Sequence, residues 1–310
     1  MSKRPFVPLL LISMFAGPAV AGELLDDEFS VQKIVTGCKF TEGPVVDVGG
    51  RLFFSDGPND RIMRLSPDGK LDEFRKPCGR ANGLTLDREG RLVMCQSGGP
   101  GGGRRVTRLE KDGSETVLAA EFRGRPFNAP NDLCVDRRGR VYFTDPNFGD
   151  PQDATQLVAG VYRIDAPGEV TLTIDNLQKP NGIVITPDNQ RLFVSDRGTQ
   201  KLHRYRVQPD GGLTADGIVY DFSPDRGIDG MRLDEQGNIW AAAGKDATTG
   251  LFVISPDGKL LLHKPMPEFS TNLAFGGPDR RDIFFTASTS VYKLRSKIPG
   301  AMTSVAGPRE

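Results

Sequence analysis

The sequence predicts an all-β protein, a six-bladed β-propeller whose ring is closed by a strand from ahead of the first blade. Three observations carry this. Short runs rich in Val, Ile, Leu and aromatic residues alternate with turns containing Gly and Pro, and no stretch after residue 21 has sustained helical periodicity. A strand–turn–strand unit occurs six times, roughly 40 to 50 residues apart, the spacing of four-stranded blades. Each unit opens on an oxygen-bearing side chain: Glu42, Asn82, Asn131, Asn181, Asp229 and Asn272. A β-sandwich of many hairpins would not explain that recurring residue.

In chain order, residues 1–21 read as a secretory leader. Lys3 and Arg4 give a positive start, Val7 to Phe15 an apolar run broken only by Pro8 and Ser13, and Ala19-Val20-Ala21 a small-residue cleavage site. The apolar run is too short to span a bilayer securely; an uncleaved anchor is the alternative. Cleavage would put the chain in a periplasm or outside the cell. No second long apolar segment follows, so no membrane partner is expected after cleavage. The repeat then runs without a linker, predicting a single propeller domain over 22–310.

Inner strands are expected to start at the opening residues, as in Asn82-Gly-Leu-Thr-Leu-Asp and Asn181-Gly-Ile-Val-Ile-Thr. Second strands follow a turn, as in Arg-Leu-Phe-Phe-Ser-Asp56 and Arg-Val-Tyr-Phe-Thr-Asp145. Pro67-Asp68-Gly69-Lys70, Lys111-Asp112-Gly113-Ser114, Pro209-Asp210-Gly211-Gly212 and Pro256-Asp257-Gly258-Lys259 are hairpin turns between third and fourth strands. The sixth unit has only three candidate strands: Asn272–Phe275, Asp282–Ala287 and Ser290–Leu294. Phe29–Val35 would supply the fourth and remove an open edge.

Composition excludes several classes. With 40 basic and 40 acidic residues there is no broad electrostatic case for nucleic acid or an anionic membrane as partner. The 37 Gly and 23 Pro sit in turns between apolar runs, which is not the pattern of disorder. Four cysteines (38, 78, 95 and 134) could pair in an oxidising compartment, but no spacing marks a bridge or a zinc site. The sequence has no Gly-x-Ser-x-Gly, His-Glu-x-x-His or Walker motif. Gly98 to Gly103 lacks dinucleotide spacing and reads as a loop at the mouth of blade two.

In a propeller the first strand of each blade lines the axis, so the six opening residues converge at one mouth. Two carboxylates with several carboxamides make a hard, oxygen-only set, suited best to Ca2+, with Mg2+ or Mn2+ next. Zn2+ suits it least, since the only histidines, His203 and His263, are unclustered. Each Asn followed by Gly or Asp also has a plain reading as turn chemistry. Glu42 has none, and a buried charge needs a partner. Asp56, Asp145 and Asp196 read as structural caps, and Asp87, Asp136 and Asp234 as turn openers.

The chain resembles the SMP-30/gluconolactonase/LRE-like family of calcium-dependent six-bladed propellers. The marks are Phe40-Thr-Glu-Gly-Pro44, Ala81-Asn-Gly-Leu84, Asn128-Ala-Pro-Asn-Asp132, Tyr142-Phe-Thr-Asp-Pro146, Lys179-Pro-Asn-Gly-Ile183, Ile228-Asp-Gly-Met231 and Asn272-Leu-Ala-Phe-Gly-Gly277. The resemblance implies that Glu42, Asn181 and Asp229 ligate a divalent metal, joined by Asn131 at a position that contacts metal or substrate. It implies substrate contacts from Asn82, Asn128 and Asn131, and a role for Asp229 as base, nucleophile or water-positioning group. It also implies a small-molecule sugar lactone as substrate, with another ester such as a phosphotriester, or a non-catalytic calcium-binding role, as alternatives. Two departures bear on substrate: Ala129 stands where animal relatives carry arginine, and Gln96-Ser97 where bacterial relatives often carry Glu-His.

Overall fold

Alternation explains how these apolar runs become blades. A second strand such as Ile239–Ala243 is buried at every position, because successive side chains point into different interfaces. Trp240 and Ala242 pack toward the sixth unit, with Leu273 and Phe285. Ile239, Ala241 and Ala243 pack toward the fourth, with Phe193 and Leu202. Phe53 and Phe54 divide the same way between the second and sixth units. The core is accordingly a ring of apolar clusters, one at each interface between neighbouring blades.

The computed structural model describes residues 24–26 and 30–302; the leader expected over 1–21 lies outside the described residues. Six four-stranded antiparallel sheets form the blades. Blade 1 comprises Thr41–Val46, Leu52–Asp56, Arg61–Leu65 and Leu71–Arg75; blade 2 Ala81–Leu86, Leu92–Gln96, Arg105–Leu109 and Glu115–Ala119. Blade 3 comprises Leu133–Val135, Val141–Asp145, Gly160–Ala166 and Glu169–Ile174; blade 4 Pro180–Ile185, Arg191–Asp196, Lys201–Val207 and Leu213–Asp221. Blade 5 comprises Met231–Leu233, Ile239–Ala243, Gly250–Ile254 and Leu260–Pro265. First strands contact one another in sequence around the axis, the sixth returning to the first. Helical structure among the described residues is confined to short 3-10 turns.

Blade 6 closes the ring. Ser270–Gly276, Asp282–Ala287 and Ser290–Arg295 are joined by Gln32–Val35, which pairs antiparallel with the last of them, Gln32 opposite Lys293 and Val35 opposite Val291. The closing strand expected from Phe29 is thus present from residue 32; Phe29 itself lies outside the described residues. A small hairpin, Glu121–Phe122 with Arg125–Pro126, was not expected from the sequence.

The Ser/Thr-Asp ends of second strands tie blades together. Ser55 Oγ donates to the Asn82 carbonyl, Thr144 Oγ1 to that of Asn181 and Ser195 Oγ to that of Ile228, each within 2.9 Å. The Asp that follows accepts backbone N–H groups from the approach to its own blade's inner strand: Asp56 from Lys39 and Phe40, Asp145 from Asn128 and Ala129, Asp196 from Gln178 and Lys179. Asp87, Asp136 and Asp234 accept the N–H groups of their tight turns. All four cysteines are buried and free.

Candidate active site at the propeller axis

Each inner strand starts on an irregularity. The pairing register shifts between Glu42 and Val45, Ala81 and Leu84, Pro180 and Ile183, and Ser270 and Asn272. In blade 3 the Asn131 N–H donates to Thr144 O while the Thr144 N–H donates to Asp132 O; in blade 5 Asp229 and Gly230 bracket Ala242 likewise. Two residues opposing one is a bulge, which re-aims a side chain. The glycine behind the opening residue is there for close approach. A Cβ on Gly43 would overlap the Asn82 carbonyl, one on Gly182 the Asp229 carbonyl, and one on Gly230 the Asn272 side chain. A Cβ on Gly83 would likewise overlap the Asn131 carbonyl, so the plain turn reading of Asn82-Gly83 and Asn181-Gly182 gives way: these pairs lie in strands that nearly touch their neighbours.

Glu42, Asn181, Asp229 and Asn272 are all buried. Glu42 Oε2 accepts from Asn272 Nδ2 at 3.0 Å and from the Gly43 N–H at 2.7 Å. Asp229 Oδ1 accepts from Asn181 Nδ2 at 2.7 Å. Burial pushes the Glu42 carboxyl up to about 8, and the charges of Asp229 and Asp132 add to it. Without a cation, then, the fold favours protonated Glu42, whose ordinary value is 4.5. Stability from this group is full below that value and lost as pH climbs through about 8. In chelator the melting temperature is expected to rise as pH falls from 8 to 7. Buried Asp145, pushed up to about 7, acts in the same direction. Glu42→Gln should therefore shrink the slope without abolishing it; an unchanged slope would clear Glu42 as its source.

Asn82 and Asn131 are half-buried at the starts of their inner strands. Their carbonyl oxygens join blades, but among the described residues their carboxamides have no recorded hydrogen bond and remain available. Asn128 differs. Its Oδ1 accepts from Thr155 and Gln156 N–H, and its Nδ2 donates toward the Val158 and Asp145 carbonyls. That carboxamide holds the 147–158 loop, so the expectation of a substrate contact from Asn128 gives way to a framework role. Gln96 is likewise committed, to Arg105 and Glu115. His203 and His263 join no axial group; His263 Nε2 meets Thr248 O at 2.9 Å.

Sequence reasoning missed two groups. Asp132 takes the place that glycine holds in four other blades, and its Oδ2 is buried without a hydrogen bond, 3.9 Å from Arg232 Nη1. Burial raises its carboxyl while Arg232 pulls it back. The signal was Asp132 behind the opening residue, where four other units have Gly. Arg226 is buried, lies 4.0 Å from the Phe269 ring centroid, and donates to Asp229 Oδ2 at 3.1 Å and Ser270 O at 2.6 Å. It stands three residues before Asp229 in an irregular approach, where no periodicity marks it. A cavity of about 1040 Å³ lies toward the far end of the inner strands, lined by Val46, Arg232, Leu233, Phe275 and Phe284 among others, and takes in none of the six opening residues.

Comparison with known proteins agrees with this architecture. A gluconolactonase of Zymomonas mobilis subsp. mobilis is 30% identical over 309 residues, covering 89% of this chain and 84% of that one. The pentonolactonase XacC of Haloferax volcanii is 27% identical, covering 84% and 85%. A solved gluconolactonase structure from Xanthomonas campestris superposes with a TM-score of 0.79 at 28% identity, covering 91% and 98%. Residues 40–289 match the SMP-30/Gluconolactonase/LRE-like region, and the chain belongs to that family.

Proposed function

We propose that this chain hydrolyses sugar lactones at the axial ring, using a divalent cation of the calcium type held by Glu42, Asn181 and Asp229 with Asn131 beside them. The observation that carries the reading is the buried pair of carboxylates, Glu42 and Asp229, set among carboxamides at one mouth. The names borne by the Zymomonas, Haloferax and Xanthomonas relatives support the lactone as substrate class. The donor set fits a hard cation: every donor is oxygen, Glu42 resists ionising without one, and Asp132 Oδ2 is a buried acceptor without a hydrogen bond. No group of three His, Cys, Asp or Glu side chains is placed to hold a metal ion among the described residues, and this reading gives the rest of the set to carboxamide oxygens. The leader at 1–21 supports a periplasmic or secreted enzyme.

When bound, the cation would supply Lewis-acid polarisation of the lactone carbonyl. Asp229 orients the attacking water and takes up its proton, held by Asn181 on one oxygen and Arg226 on the other. The free carboxamides of Asn82 and Asn131 hold ring hydroxyls of the sugar. Asn128 keeps the 147–158 loop in place as a wall.

The test is pH-stat hydrolysis of a lactone panel led by glucono-1,5-lactone, with a phosphotriester alongside, after chelation and after calcium is restored. Lactone turnover above the spontaneous rate, lost in chelator and regained with calcium, is the expected result. Turnover of the phosphotriester alone, or of nothing in either state, would overturn the lactonase reading. Glu42→Gln should raise the calcium needed for half-maximal activity by at least about tenfold, the effect of weakening a charged ligand.

A further inference from the structure

Arg197 follows directly on the second strand of blade 4 and is anchored through its backbone N–H to Lys179 O at 2.9 Å. Its side chain is 26% exposed, and its Nη1 stands 3.8 Å from Asp229 Oδ2. That oxygen already accepts from Arg226 at 3.1 Å, so Arg197 faces a carboxylate committed elsewhere. No hydrogen bond from the Arg197 guanidinium is recorded among the described residues. The group is nonetheless held in place: it lies over the Phe148 ring, 5.5 Å from its centroid, and that ring is 41% exposed. A planar fork of donors, braced by an aromatic face, suits a carboxylate or phosphate bound through two parallel hydrogen bonds. Arg226, buried and engaged with Asp229 and Ser270, leaves this task to its neighbour.

We infer that Arg197, braced by Phe148, selects lactones carrying an anionic group, a carboxylate or a phosphate, away from the ring carbonyl. The inference rests on the lactonase reading and narrows its substrate class. With Asp229 engaged at the reacting end, the substrate's own anion takes the Arg197 fork. Phe148 excludes water from that pair and strengthens it.

The experiment compares kcat/KM for a carboxylate-bearing lactone (glucaro-1,4-lactone), a phosphate-bearing one (6-phosphoglucono-1,5-lactone) and neutral glucono-1,5-lactone. The enzymes are wild type, Arg197→Met and Arg197→Lys. Wild type is expected to favour an anionic lactone. Arg197→Met should lower the anionic-to-neutral ratio about tenfold to a hundredfold, mainly through KM, as loss of a charge-assisted bond does. Arg197→Lys should fall between, keeping the charge and losing the fork. Whichever anionic lactone loses more identifies carboxylate or phosphate as the preferred group. A ratio unchanged in Arg197→Met overturns the inference, and so does an equal kcat loss on all three lactones, which would make Arg197 a stabiliser of charge formed in the reaction. Calorimetric titration with glucuronate and glucose keeps the test alive should no lactone turn over. Preference for glucuronate in wild type, levelled in Arg197→Met, supports the clamp; equal binding of both sugars by wild type contradicts it.

Discussion

Asp229→Asn is expected to lower lactone kcat about a hundredfold to ten-thousandfold, the range lost with a positioned proton acceptor. The amide keeps the shape and one oxygen for Asn181, whose Nδ2 now donates to Asp229 Oδ1. It cannot take a proton, and it presents an N–H toward one of its two present donors. Arg226 then loses its counter-charge in a buried place, and breaking such a pair costs up to about 3–5 kcal/mol. Lower thermal stability should therefore accompany the lost activity, with the fold intact by circular dichroism. Full activity at an intact fold would remove Asp229 from the chemistry.

Gly43→Ala is expected to destabilise the chain by about 3 kcal/mol or more, combining overpacking with a left-handed backbone. Gly43 has φ +53°, and a Cβ there would strike the Asn82 carbonyl and the Leu84 nitrogen, backbone atoms of the neighbouring inner strand that cannot step aside. The clash sits beside Glu42, so the site should loosen as well. Gly69→Ala is the control. Its φ of +85° carries a similar conformational cost, but nothing lies within 4 Å of the added Cβ. It should cost about 1 kcal/mol. Urea denaturation of both variants decides the matter: equal midpoints would mean that close approach of inner strands is not what demands glycine.

Much of this was readable in advance because the determinants are local and repeated. Runs such as Arg-Leu-Phe-Val-Ser-Asp196 are too short and too β-rich for anything but strands, and Pro-Asp-Gly turns separate them. The absence of a fourth strand after Ser290 pointed to the N-terminal segment that pairs there. Glu42 stood out as a charge with no turn role, and it proves buried against Asn272. What escaped was set by three-dimensional proximity. Arg226 lies in irregular chain, and only folding brings its guanidinium onto Asp229. Asn128 looked like a mouth residue beside Asn131, yet three residues of offset turn its carboxamide into the 147–158 loop. The role of the glycines was hidden for the same reason, since their neighbours come from the next blade, some 40 to 50 residues away.

The most direct test of the axial site is anomalous diffraction from crystals of the chelated protein soaked with Mn2+, a hard cation of similar ligand preference. The expected result is one strong peak between Glu42, Asn181 and Asp229, absent in crystals of Glu42→Gln. A peak elsewhere in the molecule, with none among these three residues, would contradict the assignment of the axial ring as the cation site.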